Sequence, residues 1–142
     1  MKISVFYAHI LQAAEQTGKA LPELLSGVKK AGIDAVEMEL FYLENHEETH
    51  ALLEEAGIGV SCIYEFYDME ESGESAKARN RQKAERHIAM AKRTGAERIL
   101  VVPGFLEDEE ALEMKACSDY ARMASFMDSN EKIQRIKEGM AF

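Results

Sequence analysis

The stretch Ala35–Leu40, AVEMEL, decides how this chain folds. Side chains alternate along a strand, so Val36, Met38 and Leu40 share one face and Ala35, Glu37 and Glu39 the other. A strand of a doubly wound sheet has helices over both faces and is apolar on both. AVEMEL is apolar on one face only. A parallel barrel accounts for the difference. There, one face of each strand packs on an outer helix layer and the other points inward. Val36, Met38 and Leu40 then belong to the helix side and Glu37 and Glu39 to the interior, with Glu39 nearest the C-terminal mouth where barrel sites form. An edge strand with a solvated acidic face is the competing account of the same alternation.

The flanking sequence supports a parallel arrangement. Three further apolar runs, Ile3–Tyr7, Ile58–Phe66 and Ile99–Val102, are rich in Val, Ile, Phe and Tyr and read as strands. Helical patterns lie between them. The first, Leu21–Ala31, puts Leu21, Leu24, Leu25 and Val28 on one stripe, with Pro22 in its first turn and Gly32 as its stop. The second has Asn45 as an expected N-cap, Glu48 completing a capping-box pair, Leu52, Leu53 and Ala56 as the buried stripe and Gly57 as the stop. The third runs from about Ser75 to Thr94, with Ala84, Ile88 and Ala91 inward and Gly95 after it. Strand and helix in turn, with a glycine before each new strand, indicate βαβ units and a parallel sheet. After Val102 come PGFLEDEEA and two more helical stretches, the last being Asn130–Phe142 with Ile133, Ile136 and Met140 on one stripe. No linker divides the chain, so one domain over residues 1–142 is expected. No Gly-rich nucleotide-binding fingerprint follows any strand.

The second helix contains HEETH, His46–His50, which fits H-E-x-x-H. On a helix that pattern binds zinc through two histidines one turn apart, and the glutamate activates water. Here both histidines fall beside the buried stripe, near solvent. A third ligand is needed, and the only later histidine is His87, on another outer helix. The motif therefore reads as the start of a surface helix, with no metal assigned to it.

Composition narrows the function. The chain has 142 residues, 46% hydrophobic and 30% charged, the balance of a globular protein with one real core. A net charge of −9 disfavours phosphate backbones, so nucleic acid is not an expected partner. No apolar run approaches a membrane span, and MKISVFYAHI lacks a cleavage-site pattern. Cys62 and Cys117 are the only cysteines and read as reduced, buried thiols of a cytoplasmic protein.

Three segments carry a family resemblance: AGIDAVEMEL, LLEEAGIGVSCIY and AERHIAMAKRTGAERILVVPG. They resemble the sugar phosphate isomerase/epimerase group of the xylose isomerase-like TIM barrel superfamily. In that group a helix ends in Gly before a strand of the form G-V-E-L, and a later A-x-x-L-G-A helix leads into an apolar strand ending in P-G. The resemblance spans Lys2 to Gly104. It implies an eight-unit barrel of about 250 residues. Four strands make this sequence the N-terminal half of one, as though cut in mid-fold.

The strand C-termini supply the candidate substrate-binding residues. Phe6 ends the first strand, where the resemblance implies an aromatic that packs on a sugar; plain core packing is the alternative. His9 follows in the first loop, within reach of the pocket or simply on the surface. Glu39 is the leading polar residue, and Tyr64 ends the third strand. Glu37, deeper, is expected to pair with a buried Arg or Lys. Related proteins carry histidine at the positions of Tyr64 and Val102. This sequence has neither, which argues against the apurinic-site endonucleases of the superfamily. In the epimerases it resembles, carboxylates and a histidine of the second half hold Mn²⁺ or Mg²⁺, and paired glutamates move a proton next to a carbonyl. The implied function is sugar or sugar-phosphate isomerisation or epimerisation, with this half alone expected to hold no metal and to be inactive. The alternatives are a non-catalytic half-barrel that self-associates and a polyol dehydratase on the same scaffold. Open sheet edges at the first and fourth strands, and an interior face exposing Phe6, Cys62, Tyr64 and Val102, lead to the expectation of a homodimer or larger homo-oligomer.

Overall fold

Strand β1 (Ser4–Phe6) runs straight into helix α1 (Tyr7–Thr17) with no intervening loop. The same abrupt join recurs where β2 (Ala35–Glu39) meets α3 (Leu40–Asn45). Phe6 and Glu39 are the extended residues just before these helices, and neither side chain caps the helix that follows. Helices α2 (Leu21–Lys30), α4 (Glu47–Glu55) and α5 (Glu74–Thr94) and strands β3 (Gly59–Phe66) and β4 (Arg98–Val102) complete the βα series. Two short helices, α6 (Tyr120–Ser129) and α7 (Glu131–Met140), follow. This computed structural model describes residues 3–69, 73–103 and 120–140. Cys117 and most of PGFLEDEEA lie outside them.

The sheet is parallel and its order is sequential, β1-β2-β3-β4. Four βα units in this order are half of the eight that close a TIM barrel. The chain divides into two compact units, Met1–Glu65 with Ala84–Val101, and Phe66–Lys83 with Val102–Phe142.

In the first unit, Val36, Met38, Val60 and Ile63 form one row across β2 and β3. They are buried together with Tyr7 and Ile10 of α1, Leu25 of α2, Leu40 and Leu43 of α3, Leu53 of α4 and Met90 of α5. The one-faced pattern of AVEMEL is therefore the helix-packed face of β2, as its alternation predicts. Glu37 and Glu39 lie on the other face, both half-buried.

A β-bulge makes this two-faced arrangement continue into β3. Val36 pairs with Val60 and Glu37 with Cys62, so Ser61 is an extra residue with no partner on β2. Its hydroxyl donates to the Val36 carbonyl at 3.1 Å. Strict alternation from Val60 would send Cys62 and Tyr64 to the helix face and Ile63 to the interior. The bulge, which leaves Ser61 out of the pairing, reverses that: Met38 pairs with Ile63, which is fully buried, and Glu39 pairs with Tyr64.

The helix stops sit where glycine is needed. At Gly57 φ is +67°, a left-handed conformation that costs other residues about 1 kcal/mol. It lets Gly57 N–H reach the Glu54 carbonyl at 2.9 Å and Ile58 N–H reach Leu53 at 2.9 Å, which closes α4 before β3 begins.

Three local readings are corrected. Helix α1 precedes Leu21–Lys30, which is therefore the second helix; YAHILQAAEQT starts without a polar cap, so no boundary signal marked it. Asn45 does not cap α4. It ends α3, where its amide donates to the Phe41 carbonyl at 3.0 Å, and His46 takes the cap position without a side-chain bond, so Glu48 completes no capping box. Ile88 does not face inward: it is 44% exposed, while His87 and Met90 turn to the core. His87 is fully buried, and its Nε2 donates to the Ile63 carbonyl at 2.9 Å, which satisfies the polar edge of the ring.

In the second unit Tyr67 and Met69 are buried, and Tyr67 N–H donates to the Val102 carbonyl at 2.8 Å. The Asn80 amide donates to the Asp68 carbonyl at 2.7 Å. The Lys83 ammonium donates to the Phe66 carbonyl and lies 5.6 Å from the centre of the Tyr67 ring. Helices α6 and α7 form a hairpin: Asn130 accepts from Ile133 N–H at 3.0 Å as the cap of α7, and Gln134 donates to the Met127 carbonyl at 2.7 Å.

The bulge generates a paired prediction. Ser61→Ala removes one half-buried hydrogen bond and should cost about 1 kcal/mol in urea unfolding. Deleting Ser61 makes Cys62 follow Val60 directly, so plain alternation keeps Ile63 on the core face and Tyr64 opposite, and the variant should still fold with the Phe6–Tyr64 ring contact in place. A deletion variant with Tyr64 in the core and Ile63 exposed would show that Ser61 is not the residue the bulge sets aside.

Candidate functional site

Toward the C-terminal ends of β1, β2 and β3, the structure brings all four sequence-chosen residues close together, although Tyr64 does not end its strand: β3 continues two residues further, to Phe66. Phe6 ends β1 on the same face as Glu37, its register partner. Its ring meets Tyr64 edge-on at 6.0 Å between centroids and His9 edge-on at 5.6 Å. Both are favourable aromatic geometries. Glu39 ends β2 directly across from Tyr64. Phe6 is 43% exposed, so this ring presents itself to ligand or solvent instead of serving as core.

His9 reaches the group from an unexpected element. It was expected in a loop, yet it lies in the first turn of α1, because β1 passes into that helix without a connection. The helix fixes its distance from Phe6 more tightly than a loop would.

The phenol of Tyr64 is pushed up from its ordinary pKa. Burial is the main cause, and the nearby charge of Glu39 and then Tyr42 add to it. Below it, burial and then Glu37 push the Cys62 thiol up, with Arg98 opposing. Cys62 is a buried free thiol, which corrects the expectation that the interior face leaves it open to water.

Glu37 has a different partner from the one expected. Its Oε1 accepts from the Ser4 hydroxyl at 2.6 Å, not from a buried cation. Ser4 pairs with Ala35, two residues before Glu37 on the same face of β2, so its hydroxyl meets the carboxylate diagonally across the two strands. This bond fixes Glu37 below the mouth and leaves Glu39 as the carboxylate at the strand end.

Sequence reasoning missed the aromatic residues of α1 and α3. Tyr7 is buried against Tyr42, ring centroids 5.4 Å apart. Burial raises its phenol pKa, and a hydrogen bond with Thr49 opposes the rise. Tyr42 lies near-parallel to His46 at 6.3 Å, and Phe41 meets both Tyr42 and His46 edge-on. The string FYLENH just after Glu39 is the signal in the sequence; its aromatics lie beyond the strand end, on a helix whose start no polar cap marks.

These contacts also dispose of HEETH as a helical pair. His46 precedes α4, at φ −134° and ψ 85°, and packs on aromatic rings; His50 lies within α4 with its Nδ1 3.8 Å from Glu54. The two histidines do not lie one turn apart on one helix. Among the described residues no three His, Cys, Asp or Glu side chains converge as a metal site would need. No helix among them is long and apolar enough to cross a membrane.

A groove at the opposite strand ends, lined by Asp34, Gly59, Ser61, Thr94 and Glu97, has a volume of about 210 Å³. That end of a βα barrel serves stability, so the groove is not taken as the site.

No curated protein and no solved structure matches the chain significantly. A family model described as xylose isomerase-like TIM barrel matches residues 25–138, from within α2 to within α7. With most of its length matched, and with parallel βα units in sequential order carrying one helix-packed face and one acidic, aromatic face, the chain belongs to the xylose isomerase-like TIM barrel family.

Proposed function

We propose that this chain forms the N-terminal part of a sugar or sugar-phosphate isomerase or epimerase pocket in a cytoplasmic protein. One observation carries the reading: Phe6, His9, Glu39 and Tyr64 converge at the C-terminal ends of β1–β3. That is the end of a βα barrel where chemistry is done. The faces of Phe6 and Tyr64 suit the C–H face of a sugar ring. Glu39 can accept hydrogen bonds from two hydroxyls, and His9 can donate or accept one. Isomerisation next to a carbonyl needs a group that takes up a carbon-bound proton, and Glu39 and His9 have the chemistry to do so at this mouth.

The divalent metal that the family resemblance implies does not fit the described residues, which offer no converging trio of ligands. The role proposed here is therefore substrate binding and proton handling, without a metal step on these side chains.

Isothermal titration or NMR titration with simple sugars tests this. Phe6→Ala should weaken binding at least about fivefold, the loss of one aromatic contact of about 1 kcal/mol, while the urea midpoint stays close to the parent because Phe6 is not core. Unchanged affinity in Phe6→Ala would contradict the site.

A second reading, self-association of the half-barrel, is favoured by β4. Ile99 and Leu100 alternate in direction, yet they are 42% and 49% exposed. An edge strand with apolar side chains open on both faces invites pairing with another chain. Sedimentation equilibrium at micromolar concentration should give a mass above the 16.0 kDa of one chain. Ile99→Lys should lower it. A strictly monomeric parent would rule this reading out.

A further inference from the structure

We infer that two copies of this chain join β4 of each to β1 of the other, closing one parallel barrel in which each mouth is walled, beside Phe6, by the partner's β4. The inference rests on the self-association reading above and narrows it to one pairing of edges. Three observations carry it. First, the sheet has two open edges. Among the described residues β1 pairs with β2 alone and β4 with β3 alone, and all four strands run parallel. Second, apolar exposure concentrates at these edges. Ile3, just before β1, with Phe6 of β1 and Ile99 and Leu100 of β4, make up four of the seven large apolar side chains left exposed among the described residues. A contact of β4 with its own copy would leave Ile3 and Phe6 open to water. Joining β4 to β1 covers all four.

Third, the faces and the register match. Phe6 shares the interior face with Glu37, its register partner, and Ile3 falls with Val5 on the helix-packed face. Glu37 pairs with Cys62, and the charge of Arg98 acts on Cys62 from β4. Alternation then places Leu100 on the interior face with Arg98, and Ile99 on the helix side. Parallel pairing keeps faces together, so Leu100 comes beside the partner's Phe6 inside and Ile99 beside the partner's Ile3 outside. Phe6, Glu37, Cys62 and Arg98 stand in one row, and the bond from Tyr67 N–H to the Val102 carbonyl fits the same register. A closed eight-strand barrel has a shear of about eight residues, roughly four for each copy, which sets Ile99 level with the partner's Ile3. A two-fold axis along the barrel makes the two joints identical. One feature opposes closure: Glu37 and Glu39 of both copies share the interior. Arg98 enters that interior from each copy and offsets part of the charge.

The test is sedimentation equilibrium of the whole chain as the parent, as Ile3→Glu, as Ile99→Lys, and as an equal mixture of the two variants. Neither Ile3 nor Ile99 belongs to the buried cluster, so both variants should keep the parent's urea midpoint. The parent should sediment at twice the 16.0 kDa of one chain. Each variant alone should associate at least about tenfold more weakly, because a charge then faces an apolar side chain across both joints. The mixture should recover to within about threefold of the parent, because a mixed pair has one joint untouched and one that sets the introduced lysine against the introduced glutamate. Parent association that Ile3→Glu leaves intact, or a mixture no stronger than its parts, overturns the inference while self-association through β4 alone or another surface stands. A monomeric parent removes the self-association reading, and the inference falls with it.

Discussion

A bulge at Ser61 keeps the two faces of the sheet in step through β3. Without the bulge, with Ser61 in a regular place in the ladder, alternation from Val60 would direct Ile63 away from the core and Tyr64 into it. With it, Ile63 joins Val36, Met38 and Leu53 in the buried cluster, and Tyr64 stands with Phe6 and Glu39 on the opposite face. Bulges recur at the rims of barrels and next to binding sites because they re-aim a side chain at modest cost. Here the hydroxyl of Ser61 satisfies the Val36 carbonyl beside the irregularity, which limits that cost. His87 then holds the re-aimed strand from the helix side through the Ile63 carbonyl. The core and the candidate site are thus two outcomes of one backbone event.

The site depends on a second economy, the absence of loops after β1 and β2. A strand that turns directly into a helix presents its last residue at a fixed angle. Phe6 and Glu39 occupy that place on two strands, and His9 follows Phe6 on the first turn of α1. Sites on rigid elements hold their geometry better than sites on long loops. The Ser4–Glu37 hydrogen bond and the buried Tyr7 beneath Tyr42 stiffen the same region from below and behind. What results is an aromatic floor with one carboxylate at its edge.

Much of this was legible in the sequence, and the failures have physical causes. The alternation of AVEMEL gave the helix-packed face of β2 because charged and apolar residues differ so sharply there. The glycine stops at positions 32, 57 and 95 all adopt positive φ, a conformation that the sequence reading could use because glycine adopts it freely. The four site residues converge because strand ends in a parallel sheet always lie at one edge. Helix α1 escaped notice because its N-terminus needs no polar cap when a strand feeds it directly. Asn45 was misread because α3 had also gone unseen, so the end of one helix passed for the start of the next. The placement of Ile88 failed because the long α5 carries few apolar residues, and a buried histidine took the inward position that a count of apolar residues assigns elsewhere. The bulge left no composition signal at all; Ser61 became conspicuous only once the partners of Val36 and Glu37 were known.

The most direct test of the account is a nuclear Overhauser spectrum of the aromatic rings in the intact chain. If the bulge aims Tyr64 as described, its ring protons give cross-peaks to the ring of Phe6, and the methyl groups of Ile63 give cross-peaks to Leu25 and Leu53, their companions in the buried cluster. Cross-peaks from Tyr64 to Leu25 or Leu53, with none to Phe6, would place Tyr64 in the core and contradict both the register and the site built on it.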